Sequence, residues 1–416
     1  LRRGARIGSR EIGMLAASGI ARIEVVRRPK VAVLSTGDEL VEPGNPLKPA
    51  AVYDSNSAII AAAVSEAGGE PLIFGVLPDD AAILEKTVRE ALAVSDMVVL
   101  SGGTSKGAGD LSHRVVSSLG KPGILVHGVA LKPGKPLCLA VVGDKPVVVL
   151  PGFPTSAIFT FHAFVAPVIR ARAGLPPEAT QTVSARVPVR VASELGRKEF
   201  VLVSLVKGDQ GMIAFPTGKG SGAVTSFSQA DGFLEIDALA SSLDAGSDVQ
   251  VTLIDNTIRA PDLVIMGSHD VALDVVVGAL ADHGLTARIL AVGSLGGVAA
   301  ANRGECDIAP VHLIDPASGQ YNKHLATQGL SLVPGWRRMQ GLVFRPGDAR
   351  FEGRSASEAL KIILADASAL MINRNAGAGT RVLTDKLLGG ARPAGYANQP
   401  KSHNAVAAAI AQGRAD

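Results

Sequence analysis

Several polar loops in the first half of the chain carry residue types that can hold anions and act on them. The run from Ser101 to Asp110, SGGTSKGAGD, places four glycines and three hydroxyl residues directly after an apolar stretch. Small residues let backbone N–H groups approach an anion closely, and Ser and Thr hydroxyls add donors. Taken alone, such a loop reads equally well as a flexible turn. Asp110 at its end adds a carboxylate placed to hold Mg²⁺ against phosphate oxygens. A second acidic pair, Asp38 and Glu39 of STGDEL, also ends an apolar run; on its own it reads as a helix cap or a solvated pair. Lys132 and Lys135 of KPGKP put two ammonium groups on a proline-stiffened loop, which suits an oxyanion clamp. The segment LPGFPTS (150–156) leads into a helical pattern, and the first N–H groups of a helix favour negative charge.

These loops need elements to position them. Lys30–Ser35, Pro71–Val76, Asp96–Leu100 and Pro146–Leu150 are short apolar runs with the profile of buried strands. Asn56–Ala67, Ala81–Ala93 and a stretch ending at Ala173 read as helices between and after them. This alternation predicts a parallel sheet with crossover helices, in which ligands bind at the carboxyl ends of the strands. Both STGDEL and SGGTSKGAGD fall at such ends. Upstream, a helix at Glu11–Ser18 and a strand at Ala21–Val26 read as the tail of something larger. After the linker Leu175-Pro176-Pro177, short alternating segments such as Val183–Val191 and Phe200–Val206 predict a small β-rich domain. Beyond Asp255 the alternation resumes, with strands at Leu263–Met266 and Ala287–Val292 and helices at Val271–Leu280 and near Val298. The expected divisions are 1–28, 29–177, 178–255 and 256–416. The chain starts without Met and stops in an unterminated helix, so it is read as truncated at both ends.

Composition bounds the function. A chain of 416 residues with 47% hydrophobic and 19% charged residues supports two to four folded α/β domains and is far from a disordered composition. The net charge of +3 comes with no basic cluster or aromatic platform, which argues against a nucleic-acid partner. No apolar run approaches the roughly 20 residues needed to cross a bilayer, so no membrane partner is expected. Cys138 and Cys306 match no metal or redox spacing and read as inert apolar residues.

Taken together and in order, STGDEL, YDSN (53–56), SGGTSKGAGD, KPGKP and LPGFPTS resemble the molybdopterin molybdenumtransferases, the MoeA and gephyrin E-domain family, from about Leu1 to Ile254. Phe153 stands where many members have Asn and others an aromatic residue, and no loss of function is expected from it. The resemblance implies a MoaB/MogA-like molybdopterin-binding sheet domain followed by a β-rich domain. It also implies a cytoplasmic enzyme, homodimeric when full length, that takes adenylylated molybdopterin and molybdate and releases molybdenum cofactor and AMP. Asp38, Glu39 and Asp110 would hold Mg²⁺ and help hydrolyse the adenylate. Ser101, Gly102, Gly103, Thr104 and Ser105, with the turn Pro151, Gly152 and Pro154, would cradle the pterin and its phosphate. Lys132, Lys135 and Ser156 would hold molybdate. Arg197 of GRKEF and Ser226, with Ser221 as the alternative to Ser226, look like further molybdate contacts. Adenylyltransferases that prepare the substrate and CinA-type domains share the sheet, but their loop is Gly-Gly-x-Gly. Here Ser105-Lys106-Gly107 follows Gly-Gly-Thr, and KPGKP, LPGFP and the β-rich domain fit the insertase.

The third domain is less explicit. Ser268, Ser294, Asn375, Thr380 and Ser402 lie at starts of helical patterns, where each reads separately as an N-cap. Converging on one cleft, they would make a neutral anion site of helix N-termini and hydroxyls. His269 and His403 read as capping or loop residues rather than metal ligands. IMGSHDVALD, NRNAGAGTR and KSHNAVAAAIAQGRAD resemble the periplasmic-binding-protein-like domain, akin to LysR substrate-binding domains, found fused to insertases and to some regulators. That implies a domain that binds molybdate or tungstate and supplies or senses it. A folded interaction module, a molybdate-responsive sensor that gates the insertase, and a gephyrin-like scaffold without catalysis remain the alternatives.

Overall fold

Aliphatic runs too short for helices and Ala-rich stretches too long for strands alternate through the first half of the chain, and they fold as that alternation requires. The structure is a computed structural model and describes all residues except 48–50, 103–108, 218–226, 255–260, 316, 327–328, 338, 377 and 401, with only the backbone of Gly109 and Asp110 described. After helix α1 (Ser9–Ala17), the expected strand at Ala21–Val26 is not formed. Every one of those residues is exposed, and a strand without a ladder partner or a buried face has nothing to hold it.

The main sheet is built from β1 (Lys30–Thr36), which is followed by the short parallel pair β2 (Leu40–Val41) and β3 (Val52–Tyr53) and by α2 (Asn56–Glu66). Next come β4 (Glu70–Leu77), α3 (Ala81–Val94), β5 (Met97–Gly102) and α4 (Gly109–Ser118). The unit continues with β6 (Pro122–His127), β7 (Leu131–Lys132), β8 (Cys138–Val142) and β9 (Lys145–Leu150). The strand order is β4-β1-β5-β9-β8-β6. The first four strands are parallel, as expected. β8 returns antiparallel to β9 through the Gly143-Asp144 turn, and β6 is antiparallel to β8, so the sheet is mixed.

Both faces of the sheet are covered, and successive residues of β1 point to opposite sides. Val31 and Val33 pack with Ile60, Val64, Phe161 and Ile169. Ala32 and Leu34 pack with Leu84, Val88, Val115 and Val116. Cys138 lies in this second cluster, and burial pushes its thiol up to about 11, so it packs as a small apolar side chain. The stretch ending near Ala173 is α5 (Pro154–Thr160), a π-helical turn (Phe161–Val165) and α6 (Ala166–Arg172).

The β-rich segment follows, with β10 (Thr182–Arg186), β11 (Val191–Ala192), β12 (Lys198–Gly208), β13 (Gly211–Pro216), β14 (Gly232–Ile236), β15 (Ser242–Leu243) and β16 (Asp248–Leu253). β10 pairs with β16, β16 with β14, and β14 with β12, all antiparallel. On its other side β12 takes β7 as a parallel neighbour, Lys198 opposite Leu131 and Glu199 opposite Lys132. Phe159 of α5 stacks on Phe200 of β12 at 5.4 Å and meets Phe233 of β14 edge-on at 5.2 Å, tying the two sheets together.

The chain forms two compact units, Leu1–Ser204 with Pro216–Asn256, and Leu205–Phe215 with Thr257–Asp416. The second unit contains β17 (Leu263–Gly267), α7 (Val271–Asp282), β18 (Ala287–Ala291), α8 (Gly293–Asn302), α9 (Ala356–Ala365), α10 (Gly379–Leu388) and α11 (His403–Ala411). β17 and β18 are parallel. Val206 and Phe215 of its hairpin segment pack with Val264, Met266 and Ala300. The Arg288 guanidinium donates to the Leu205 carbonyl at 2.9 Å. Among the described residues no helix is long and apolar enough to cross a membrane.

One ion pair anchors the entry to the main sheet. The Arg27 guanidinium donates to both Asp96 oxygens at 2.8 and 2.7 Å, and the Lys30 N–H donates at 2.7 Å. The Arg27 bond, helped by that N–H, holds the Asp96 carboxyl down at about 2. Arg27 is largely exposed, so solvent screening keeps the contribution small. Because the folded value lies below the ordinary 3.8, this stability is present above that pH and is lost as pH falls through about 2. Asp96→Asn should therefore lower the urea midpoint at pH 7, and its gap to wild type should close on titration from pH 4 towards pH 2. A gap that persists unchanged to pH 2 would contradict this assignment.

Candidate functional site

The carboxyl ends of β1, β5 and β9 lie side by side, and the YDSN segment at the start of α2 ties them together. Asp54, buried, accepts from the Ser35 hydroxyl at 3.0 Å and from the N–H groups of Asn56 and Ser57 at 3.0 and 3.1 Å. This fixes the first turn of α2 on the end of β1. The Asn56 amide then donates to the Ser101 hydroxyl and to the Gly152 carbonyl, both at 2.7 Å. One side chain thus cross-links the end of β5 and the Pro151-Gly152 turn. Asn56 Oδ1 and Thr155 Oγ1, at the mouth of the same loops, are buried and find no partner among the described residues. Buried polar atoms without partners are uncommon and fit a site that completes itself with a ligand. Gly102 sits at φ +106°, and a Cβ there would lie 2.1 Å from the Thr36 carbonyl oxygen; only glycine lets β5 and β1 approach this closely.

The acidic side lies at the end of β1. Asp38 and Glu39 are both exposed. Asp38 Oδ1 accepts from the Asp79 N–H at 3.1 Å, and Asp79 in turn accepts from the Thr36 hydroxyl at 2.8 Å. Asp79, at the carboxyl end of β4, was not singled out from the sequence. Its signal was its position: a carboxylate ending the strand next to β1. Among the described residues no three His, Cys, Asp or Glu side chains come close enough to hold a metal ion. The Asp110 backbone opens α4, and its side chain lies outside the described residues. Gly103, Thr104, Ser105, Ser221 and Ser226 lie outside them too.

The basic side is assembled by the pairing of β7 with β12. Lys132 Nζ lies 3.2 Å from Glu194 Oε1 and 3.4 Å from Glu199 Oε1, and Arg197 Nη2 lies 3.4 Å from Glu194 Oε2. Two cations that are 65 residues apart in sequence therefore share one carboxylate. Glu199 is buried, and its other oxygen accepts from the Ser193 hydroxyl at 2.7 Å. Gly134 turns the KPGKP loop at φ +118° against α5, where a Cβ would lie 2.5 Å from Thr160 Cγ2. The loop thus rests on the helix that carries Ser156, which is itself buried. Lys135 is exposed and makes no ion pair among the described residues. Glu194 and Glu199 were also missed from the sequence, because carboxylates beside basic residues read as ordinary solvated pairs.

Two segments of the unit that carries these loops match known families. Residues 32–171 match a probable molybdopterin binding domain, and residues 184–254 match the MoeA C-terminal region, domain IV. Residues 32–254 are MoeA-like. A molybdopterin molybdenumtransferase of a Nostoc strain is 42% identical over 173 residues, 41% of this chain and 39% of its own. Molybdopterin molybdenumtransferase 2 of Mycobacterium tuberculosis is 32% identical, over 58% of this chain and 60% of its own. A solved molybdopterin biosynthesis MoeA protein from Pyrococcus horikoshii superposes with a TM-score of 0.53 at 42% identity, covering 62% of each chain. The chain thus spans about two to three fifths of the length of the curated relatives. Residues 277–416 match a PBP superfamily domain.

In the PBP-like unit the five residues expected at helix starts behave differently from one another. Ser402 caps α11, accepting from the Ala405 N–H at 3.1 Å. Ser268 does not cap α7, because Asp270 does, accepting from the Ala272 N–H at 3.0 Å. Ser294 lies inside the first turn of α8, fully buried, and accepts from the His312 N–H at 3.2 Å. Asn375 lies before α10 and Thr380 within it, and that helix has no side-chain cap. The oxygens of both, Asn375 Oδ1 and Thr380 Oγ1, are buried without a partner among the described residues. His312 packs on Gly379, whose added Cβ would lie 2.1 Å from the His312 carbonyl oxygen. Ser294, His312 and the start of α10 are therefore brought together; no contact of theirs with Ser402 is described. His269 is a loop residue with Nε2 at 3.7 Å from Asp274, and His403 is the first residue of α11.

Proposed function

We propose that this MoeA-like chain carries the catalytic domains of a molybdopterin molybdenumtransferase, which cleaves the phosphoanhydride of adenylylated molybdopterin, releases AMP and transfers molybdate to the pterin. The observation that carries this reading is the convergence of Lys132 and Arg197 on one carboxylate. Paired, preorganised cations of this kind suit a tetrahedral dianion, and two positive groups aimed at one point stabilise charge far better than either alone. The cradle reading of Ser101 to Ser105, Pro151, Gly152 and Pro154 draws support from the Asn56 cross-link and the partnerless Asn56 and Thr155 oxygens. In this reading Lys135, Ser156 and Ser226 add contacts to molybdate.

Exposed carboxylate oxygens are the donors that hard Mg²⁺ prefers. Asp38 and Glu39, with Asp110, would hold the ion, and it would neutralise charge on the phosphoanhydride when bound. Asp79 would orient Asp38 through its N–H. Homodimerisation of the full-length protein and action in the cytoplasm belong to the same proposal and rest on the family resemblance.

A second reading concerns the PBP-like unit. The buried Ser294 hydroxyl and the partnerless Asn375 and Thr380 oxygens beside two helix starts suit a small oxyanion, so this unit would bind molybdate or tungstate and supply or sense it.

AMP release from adenylylated molybdopterin by the full-length protein is expected to require molybdate, and to fall roughly 100-fold in Asp110→Ala and in Lys132→Ala. Folded wild-type protein that releases no AMP would shift the assignment to a sensor or scaffold. For the second unit, equilibrium dialysis of a Lys132→Ala, Arg197→Ala double variant should still show uptake of molybdate or tungstate, abolished by adding Ser294→Ala. No uptake of either oxyanion at micromolar concentration would rule that reading out.

A further inference from the structure

Lys132 and Arg197 are occupied, and the way they are occupied distinguishes two carboxylates. Glu199 belongs to the framework. It stands opposite Lys132 in the β7–β12 ladder, its side chain is 6% exposed, and the Ser193 hydroxyl holds its second oxygen. Glu194 does not. It sits in the loop between β11 and β12, and its side chain is 55% exposed. It offers one oxygen to Lys132 at 3.2 Å and the other to Arg197 at 3.4 Å. That is how two oxygens of a tetrahedral oxyanion would meet the same pair of cations. The loop backbone is pinned on both sides, with the Ser193 N–H donating to the Ser241 carbonyl at 2.8 Å and the Gly196 N–H to the Ala238 carbonyl at 2.7 Å. A turn of the Glu194 side chain would open one face of both cations while Lys132 stays paired with Glu199.

We infer that Glu194 is an internal counter-anion of the oxyanion site, holding Lys132 and Arg197 together until a dianion displaces it. The inference rests on the reading of these two cations as the molybdate site. Exposed ion pairs are weak and exchange readily with other anions, whereas a tethered group competes at high effective concentration. A monoanion such as chloride gains no more from the two cations than the resident carboxylate does and is excluded. A dianion gains more and displaces it. Glu194 is thus a specificity-determining residue that selects for doubly charged ligands, while Glu199 keeps Lys132 in place throughout the exchange.

The test is calorimetric titration of sodium molybdate into the full chain carrying Ser294→Ala, which is expected to silence the second unit and serves as wild type throughout, at constant ionic strength, with chloride varied against a bulky organic sulfonate. In sulfonate, Glu194→Gln is expected to bind molybdate roughly two- to fivefold more tightly than wild type. Its affinity should fall with added chloride more steeply than that of wild type. Glu235→Gln is the control: it removes one carboxylate charge from another exposed ion pair of the β-rich segment, where Glu235 pairs with Lys198 at 2.8 Å, and should leave the affinity unchanged. Equal or weaker binding by Glu194→Gln, or equal tightening by Glu235→Gln, would overturn the counter-anion role while leaving the oxyanion site standing. Wild-type binding that Lys132→Ala and Arg197→Ala leave untouched, or no binding at all, would overturn the oxyanion reading and this inference with it.

Discussion

The site depends on a two-residue strand. Leu131 and Lys132 leave the main sheet domain and add as β7 to the edge of the β-rich sheet, with the Lys198 N–H donating to the Ala130 carbonyl at 3.0 Å. So short a ladder is not stable by itself. It is held by the Phe159, Phe200 and Phe233 cluster and by the rest of the KPGKP loop resting on α5. Through it, the register of β12 decides which residues face Lys132. A slip of one residue would turn Glu199 to the opposite face and take the fixed counter-ion away from the lysine.

Around this joint, order is distributed unevenly. The cradle is preorganised: Asp54, Asn56, Ser35, Ser57 and Ser101 are all buried and hydrogen-bonded to one another or to neighbouring backbone. Asp38 and Glu39, two of the carboxylates proposed for the metal, are exposed at the loop end of β1, where water and a hard cation can both reach them. The cations lie between these extremes, with one fixed carboxylate and one exchangeable carboxylate. Under the proposed function, such a gradient suits a rigid pocket for the pterin beside less fixed groups for a phosphoanhydride and an oxyanion.

Much of this was legible in the sequence, and the exceptions have physical causes. β1, β5 and β9 are continuous aliphatic runs, a pattern with few other solutions, and α2 and α3 lie within two residues of their expected ends. The antiparallel β6 and β8 were not foreseen, because the 122–142 stretch is broken by glycine and proline and has no helix to mark a crossover. Ala21–Val26 alternates like a strand but has no neighbour to pair with. The hairpin at Leu205–Phe215 packs with the second unit, a long-range choice invisible to local pattern. STGDEL, KPGKP and GRKEF announced charged loops, but only register and sheet order show that Asp79 reaches Asp38 and that Glu194 joins Lys132 to Arg197. Ser268 looked like a helix cap, and Asp270, two residues on, takes that role because its carboxylate is nearer the open N–H groups.

If molybdate binds as proposed, the KPGKP loop and the GRKEF loop close on the same small anion. Hydrogen–deuterium exchange of the full chain, with and without molybdate, tests this without depending on turnover. Exchange is expected to slow together in residues 128–135 and 193–199, with the same concentration dependence in both. Protection of only one of these segments, or of neither at saturating molybdate, would contradict it.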